Sequence, residues 1–176
     1  AATVMGNHDR AVASDTGFRF NSMAAAGVTY ARDELDADAI DWLDSLPNRQ
    51  TVADGDILLV HGHPENPDRY TYPDEFSPAM LENDARVTIT GHTHVQGVRE
   101  FEEGIVMNPG SVGQPRDGDP DAAFAVLDIS DSDDAGGTAA IDVETHRVSY
   151  DIDRAIDAVE DAGLPEKIGT RLRSGR

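Results

Sequence analysis

The chain has 176 residues, 39% of them hydrophobic and 27% charged, which is enough sequence for one globular domain with a buried core. Its 34 acidic side chains outnumber 14 basic ones, and the net charge of −20 disfavours binding to nucleic acid or an anionic membrane, because no basic patch can form. The absence of cysteine excludes disulfides and thiolate metal sites, and no apolar run approaches the ~18 residues that span a bilayer.

The basic residues are almost all arginine, since Lys167 is the only lysine. An acidic excess with so little lysine is typical of proteins from very salty cytoplasm, where mobile ions screen the self-repulsion. We therefore expect a cytoplasmic protein of a halophilic archaeon, and no signal-peptide pattern is visible. An ordinary acidic protein from a less salty cell is the alternative.

The first third of the sequence predicts one strand and two helices. Residues 3–5 form a short β-prone run that ends at a glycine, and residues 18–31 are compatible with a helix. Residues 36–46 predict a clearer helix, in which Asp36 serves as the N-cap and Pro47 prevents continuation.

Residues 56–60 form an apolar run that predicts a strand buried on both faces, and the β-rich residues 86–90 predict a second strand. Residues 64–78 lie between them and contain four prolines and three aromatic residues, which predicts an ordered loop. Ser77 and Pro78 then predict the start of a short helix.

The remainder predicts hairpins followed by helices. Four further strands are expected, at residues 95–100, 105–107, 122–129 and 139–150. The acidic segment 131–137 predicts a hairpin loop, and residues 152–162 predict a helix ended by Gly163, with a last helix after Pro165. The expected fold class is α/β (α+β), with two packed sheets flanked by helices.

Five of the six histidines fall in three clusters beside glycine, each at the end of an apolar run. The clusters are Gly6-Asn7-His8-Asp9, Val60-His61-Gly62-His63 and Gly91-His92-Thr93-His94. Strand ends of one sheet converge in space, and histidine is the commonest metal ligand. The pattern indicates a metal-centred hydrolase, although histidines that merely complete the core remain the simpler alternative.

These three motifs, in this order, resemble the later motifs of the calcineurin-like metallophosphoesterases. The segment Asn108-Pro109-Gly110-Ser111-Val112-Gly113-Gln114-Pro115-Arg116 strengthens the resemblance, and residues 148–176 are similar to the helical end of a small prokaryotic branch of that superfamily. The resemblance implies a β-sandwich of two mixed sheets flanked by helices. It also implies a phosphate-ester substrate, hydrolysed as a phosphomonoester or a phosphodiester.

The resemblance assigns roles to six residues of the motifs. Asn7, His61 and His92 would ligate one metal ion, and His94 would ligate a second. His8 would be the general acid, with Asp9 holding its ring in the useful tautomer. Two divalent ions, Mn²⁺ first and Ni²⁺, Fe²⁺ or Zn²⁺ as alternatives, would activate a bridging hydroxide.

Three other polar residues stand outside this assignment, and two of them have two alternative roles each. Arg116 binds a substrate phosphate or forms a structural salt bridge. His63 lines the pocket and contributes to substrate binding, or it stabilises its own loop. His146 lies among charged residues on a predicted strand and is expected to face solvent.

The first two motifs of the superfamily, D-x-H and G-D-x-x-D, are not found in the sequence. We therefore expect residues 1–176 to be a single metallophosphoesterase domain without its N-terminal portion, lacking the first βα units, roughly 60 residues. The aspartate that bridges both metals would lie in that portion, so this chain on its own is expected to be inactive or nearly so. The sequence leaves the oligomeric state and the substrate open.

Two rival functions remain. A non-catalytic interaction module on the same fold would not need His8 beside Asp9, nor the four metal-ligand positions. A β-lactamase-fold metallohydrolase would carry an aspartate and another histidine directly after its H-x-H motif, whereas here His94 is followed by Val95 and Gln96.

Overall fold

The structure is a computed structural model that describes residues 1–82, 85–130 and 140–176. Three helices come first: α1 (Asn7–Ser14), α2 (Ser22–Glu34) and α3 (Ala37–Asp44). Asn21 caps α2 by accepting from two backbone amides, and Asp36 caps α3 as the sequence predicted. The three helices pack on one another through Val12, Val28 and Leu43.

A five-stranded mixed sheet forms the centre of the molecule. Its strands are β1 (Arg49–Val52), β2 (Ile57–Val60), β3 (Val87–Ile89), β4 (Gly97–Glu100) and β5 (Ile105–Asn108). The spatial order is β1-β2-β3-β5-β4, in which the three central strands are parallel and the two edge strands are antiparallel to their neighbours. The carboxyl ends of β2 and β3 therefore meet at one edge of the sheet, as the histidine pattern required.

An antiparallel pair packs against this sheet. It consists of β6 (Ala122–Ser130) and β7 (Ala140–Val148). Leu127 and Val143 of the pair pack against the sheet residues Val87 and Met107, which are almost fully buried. The expected sandwich is present, but this layer is a two-stranded antiparallel hairpin and not a second mixed sheet. The loop predicted at residues 131–137 lies outside the described residues.

The chain ends in α4 (Ile152–Asp161), capped by Asp151, and α5 (Glu166–Thr170). Gly163 lies between them at φ +67°, where a side chain would be strained, which explains why the predicted helix ends there. No helix within the described residues is long and apolar enough to cross a membrane.

The start of the chain differs from prediction. Residues 3–5 form no strand, because Met5 N donates to the Pro47 carbonyl at 2.8 Å without a ladder of further backbone bonds. The helix predicted at residues 18–31 begins only at Ser22, and Phe18 lies before it with 78% of its surface exposed.

Two elements were not predicted at all, α1 and β1. The start of helix α1 at Asn7 is stabilised by the Asp9 carboxylate, which accepts a hydrogen bond from Gly6 N at 2.7 Å, the half of a capping box that does not need an N-cap side chain. Residues 77–80 form only a 3₁₀ turn, Pro78–Met80, without a side-chain cap from Ser77.

Candidate active site

The segments that follow β2 and β3 carry the second and third histidine clusters, and a backbone hydrogen bond joins these two segments. Gly91 N donates to the His61 carbonyl at 2.7 Å, just beyond the parallel pairing of β2 and β3. Helix α1 brings Asn7 to the same place. A Cβ atom at Gly6 would lie 3.0 Å from Asp9 Oδ2 and 3.2 Å from Cε1 of the His61 ring, so a larger residue would crowd both side chains.

Three side-chain atoms converge where these segments meet. His61 Nε2 lies 3.0 Å from Asn7 Oδ1 and 3.0 Å from His92 Nδ1. The other nitrogen of the His92 ring, Nε2, lies 3.2 Å from the Asp68 carbonyl, which can only accept a hydrogen bond. The proton of a neutral His92 ring is therefore on Nε2, and the Nδ1 lone pair faces His61 and Asn7.

The turn between the two histidines of the third cluster is made by the histidines themselves. His92 and His94 adopt left-handed backbone conformations, with φ of +63° and +60°, whereas Gly91 does not. Left-handed backbone is unfavourable for residues with a side chain and is retained where surrounding contacts enforce it.

Those contacts come from Asn108, a fully buried side chain at the end of β5. Its Nδ2 donates to the Gly91 carbonyl at 2.7 Å and to Thr93 Oγ1 at 3.0 Å, and its Oδ1 accepts from Gly110 N at 2.9 Å. Asn108 is thus a positioning residue for the turn, a role that we did not assign to it from the sequence although it opens the Asn108–Arg116 motif.

His94 is oriented in a similar way. Its Nδ1 lies 2.7 Å from the Gln114 carbonyl, so a neutral ring carries its proton there and leaves Nε2 unprotonated. The side chain of Gln114 also binds arginine: Arg116 Nε and Nη2 donate to Gln114 Oε1 at 3.2 and 2.7 Å. Among the described residues no carboxylate lies within 4.0 Å of Arg116, so the salt bridge considered from the sequence is not formed there.

A cavity of about 110 Å³ collects most of the predicted site. Five of the eight residues singled out from the sequence line it: Asn7, His8, His92, His94 and Arg116. His61 lies behind His92, with ring centres 4.7 Å apart. Phe20 and Tyr70, which the sequence did not single out, also line this cavity.

His8 and Asp9 are arranged differently from expectation. The His8 ring stacks on Phe20, with centroids 4.8 Å apart. The hydrogen bond that the structure gives to Asp9 is the one from Gly6 N, and not one from the His8 ring. An acidic residue three positions after the start of a helix is a recognisable capping signal in a sequence. This capping role of Asp9 competes with its expected role of orienting the His8 ring.

His63 does not line the cavity. Its Nδ1 accepts from Glu65 N at 3.2 Å, and its backbone pairs with Asn66. Burial lowers the pKa of His63, and the nearby Arg69 adds to the effect. These contacts favour the loop-stabilising reading. His146 stands apart, stacked on Phe124 and 3.3 Å from the Glu144 carboxylate.

Burial lowers the pKa of the four site imidazoles and so favours their neutral form. It lowers the pKa of His61 to about 4, with a further contribution from the charge that His92 would carry. Burial is also the largest cause of the lowered pKa of His8, His92 and His94, followed for His8 and His94 by Arg116. Neutral imidazole is the form that binds a metal cation.

The donor set fits one divalent ion. His61 Nε2 lies 3.0 Å from the donor atom of Asn7 and 3.0 Å from that of His92. Each separation corresponds to adjacent corners of an octahedron with bonds of about 2.1 Å. Two imidazoles and an amide oxygen suit Mn²⁺, Fe²⁺, Ni²⁺ or Zn²⁺. Within the described ranges no three residues of the types His, Cys, Asp and Glu gather as a metal-holding group, so the amide of Asn7 is needed to complete the set.

Comparison with known proteins decides the family. Residues 1–132 match the sequence model of the calcineurin-like phosphoesterase superfamily domain. The chain belongs to this superfamily. Its fold, a mixed α/β sandwich with helices at the flanks, agrees with that membership, and the superfamily is one of phosphoesterases.

Individual relatives match most of the length of the chain. An uncharacterized protein of Methanocaldococcus jannaschii, MJ0912, is 28% identical over 194 residues, spanning 99% of this chain and 75% of that protein. The crystal structure of a metallophosphoesterase from Sphaerobacter thermophilus is 30% identical with a TM-score of 0.68, covering 98% of this chain and 76% of that one.

Two further comparisons are narrower in what they support. The hypothetical protein PH1004 from Pyrococcus horikoshii OT3 shares the fold, with a TM-score of 0.78 at 20% identity, over 98% of this chain and 72% of that one. The phosphodiesterase YfcE of Escherichia coli is 36% identical over 72 residues, which are 41% of this chain and 34% of that protein.

Proposed function

We propose that this site hydrolyses phosphate esters, monoesters or diesters, with divalent metal ions held by the residues of the three histidine clusters. The 3.0 Å separations of His61 Nε2 from Asn7 Oδ1 and from His92 Nδ1 carry the proposal. Membership in the superfamily and the similarity to a phosphodiesterase support it. Two ions are proposed, Mn²⁺ first, with Ni²⁺, Fe²⁺ or Zn²⁺ as alternatives. When bound, they supply Lewis acidity toward the phosphate and toward water.

The side chains around the cavity then bind and orient the ester. Arg116 offers a fork of donors to phosphoryl oxygens, since one amide oxygen and no carboxylate of the described residues occupies it. A cationic group at this place also offsets the repulsion between an anionic substrate and a protein of charge −20.

His8 is the proposed general acid. It lines the same cavity, and its stacking on Phe20 fixes the plane of the ring. A proton delivered from this ring to the leaving-group oxygen would aid departure of the alcohol. Asp9 is proposed to assist through its charge, which raises the pKa of His8 against the effects of burial and Arg116.

The second ion has fewer ligands than the first among the described residues. Among the described residues, His94 is the histidine that remains for it, with Nε2 available because Nδ1 is held by Gln114. We therefore expect this 176-residue chain to bind one ion well, to bind the second weakly and to turn over slowly.

Calorimetry with Mn²⁺ tests the metal site. The wild-type chain should bind one ion, and H61A and H92A should each weaken binding at least about tenfold because a ligand atom is removed. H146A is the matched control, since His146 lies outside the cavity. Mn²⁺ binding that survives both H61A and H92A unchanged would contradict the assignment.

Hydrolysis of a chromogenic phosphodiester tests the chemistry. Slow, Mn²⁺-dependent turnover is expected, and H8A should lower it by about 10²-fold while Mn²⁺ affinity is retained. Fast turnover would refute the expected weakness of the second ion. Metal binding with no hydrolysis in long incubations would favour the non-catalytic interaction module.

A further inference from the structure

A second cavity, of about 300 Å³, adjoins the candidate site. The two cavities share four lining residues: Asn7, Phe20, Tyr70 and His92. A molecule that occupies both would therefore place one part beside the proposed metal ligands and another part in the larger space. A volume of 300 Å³ lies at the lower end of the range for small-molecule sites.

Aromatic rings stand at the junction of the cavities. The Tyr70 ring lies 3.9 Å from the His92 ring between centroids, and the Phe20 ring lies 4.8 Å from that of His8. Tyr70 is 49% exposed although it packs on a proposed ligand. A half-exposed aromatic face beside a cavity is suited to stacking with a flat ring of a ligand.

Two arginines line the larger cavity, Arg10 and Arg19. Arg10 is paired with Asp68 through two hydrogen bonds of 2.8 and 2.9 Å. Arg19 also lines the cavity, its guanidinium 5.8 Å from the centre of the Phe18 ring, and no carboxylate of the described residues lies within 4.0 Å of it. In a chain with 34 acidic side chains, an arginine left without one at a cavity is suited to an anionic ligand.

We infer that the substrate is a nucleotide with a second phosphate group, bound across both cavities. Its reacting phosphate lies beside Arg116, its base stacks on Tyr70 and Phe20, and its second phosphate meets Arg19. The inference rests on the proposed function, since it assigns the reacting phosphate to the smaller cavity. Esters of small aliphatic alcohols would leave the larger cavity unused.

Binding of three probes to the Mn²⁺-loaded chain separates the parts of this inference. The probes are inorganic phosphate, adenosine 5′-monophosphate and adenosine 3′,5′-bisphosphate, measured by calorimetry. We expect the monophosphate to bind about tenfold more tightly than inorganic phosphate because of stacking. The bisphosphate should bind about tenfold more tightly again, because its second phosphate gains a charged partner.

Two variants locate the effects. Y70A should remove most of the advantage of the monophosphate over inorganic phosphate, whereas Y72A, at a tyrosine of similar exposure on the same loop, should not. R19M should remove the advantage of the bisphosphate alone, and R154M, at an exposed arginine of α4, should leave all three affinities unchanged.

The outcomes distinguish this inference from the proposed function. Failure of inorganic phosphate to bind to the Mn²⁺-loaded wild-type chain would count against the phosphoesterase site itself. Inorganic phosphate that binds while the monophosphate binds no more tightly would overturn the nucleotide assignment and leave the site standing. A bisphosphate advantage that persists in R19M would overturn the role of Arg19.

Discussion

At the scale of single residues, the left-handed backbone of His92 and His94 is the most informative feature of the site. Within this turn of three residues, one ring meets His61 and the other meets the carbonyl of Gln114. Stability is given up for this arrangement, because the left-handed region costs a side-chain-bearing residue about 1–2 kcal/mol.

Replacement of His92 by glycine and by alanine measures that cost. H92G should be more stable than H92A by about 1 kcal/mol, because glycine adopts positive φ without strain. The measurement is the free energy of unfolding of the metal-free protein in urea.

Thr29, an exposed position within α2, supplies the control. There the order should reverse, with T29G less stable than T29A by about 0.5–1 kcal/mol, as in any helix interior. The same order at both positions would show that position 92 does not require left-handed backbone.

The sequence singled out residues that the fold brings together at one cavity, but it could not predict their orientation. His8, His61, His92 and His94 were recognisable because they follow glycine or a buried run. The groups that orient them, the carbonyls of Asp68 and Gln114, are backbone atoms, and any residue type could supply them. A sequence carries no signal for such partners.

At the scale of elements, a cluster of polar side chains ties the β6–β7 hairpin to the loops beside the site. Arg147 of β7 donates to Gln96 Oε1 at 2.9 Å and to the Asp117 carboxylate, which also accepts from Gln96 N at 3.2 Å. The burial of Asp117 raises its pKa, but the hydrogen bonds from Arg147 and Gln96 outweigh burial and hold the pKa below the ordinary 3.8.

A lowered folded-state pKa has a definite consequence for stability. The contribution of the Asp117 carboxylate is complete above its unfolded pKa of 3.8 and is lost as the pH falls through the folded value. D117N should therefore lower the free energy of unfolding by about 1–3 kcal/mol at neutral pH, and the deficit should shrink below pH 3.8.

Urea titrations of wild type and D117N at several pH values measure that deficit. The matched variant D119N should have little effect, since Asp119 is more exposed and lies 4.0 Å from Arg147. A deficit of D117N that stays constant down to pH 3 would exclude the ion pair as its origin.

The elements that we predicted correctly are those with strong local signals. Ile57–Val60 and Val87–Ile89 are buried runs, and α3 carries both a cap and a following proline. Strand β1, Arg49–Val52, was missed because it consists of three polar residues and one valine and so carries no apolar pattern. It lies at the edge of the sheet, where its residues alternate between exposed and half-buried. Residues 3–5 are β-prone but make one backbone hydrogen bond to Pro47, and local propensity cannot reveal that.

At the scale of the whole molecule, the charge of −20 dominates the response to salt. Repulsion among surface carboxylates destabilises the compact state, and screening shortens its range from about 10 Å at 0.1 M to about 3 Å at 1 M. We expect the urea midpoint of unfolding to rise between these two NaCl concentrations.

A repeat of the titration at about pH 4, where carboxylates begin to protonate, serves as the control and should show a weaker dependence on NaCl. A midpoint that falls with salt at neutral pH would contradict a dominant role for charge repulsion. A rise of equal size at both pH values would assign the effect to strengthened hydrophobic burial.

The site is also assembled from segments that are far apart along the chain. Asn7 and His61 are separated by 54 positions, and His61 and His92 by 31. Contacts of this length form late in folding, because a large loop must close before they contribute. A divalent ion would then join three segments that meet only in the finished fold, so its capture would report completion of folding as well as readiness for chemistry.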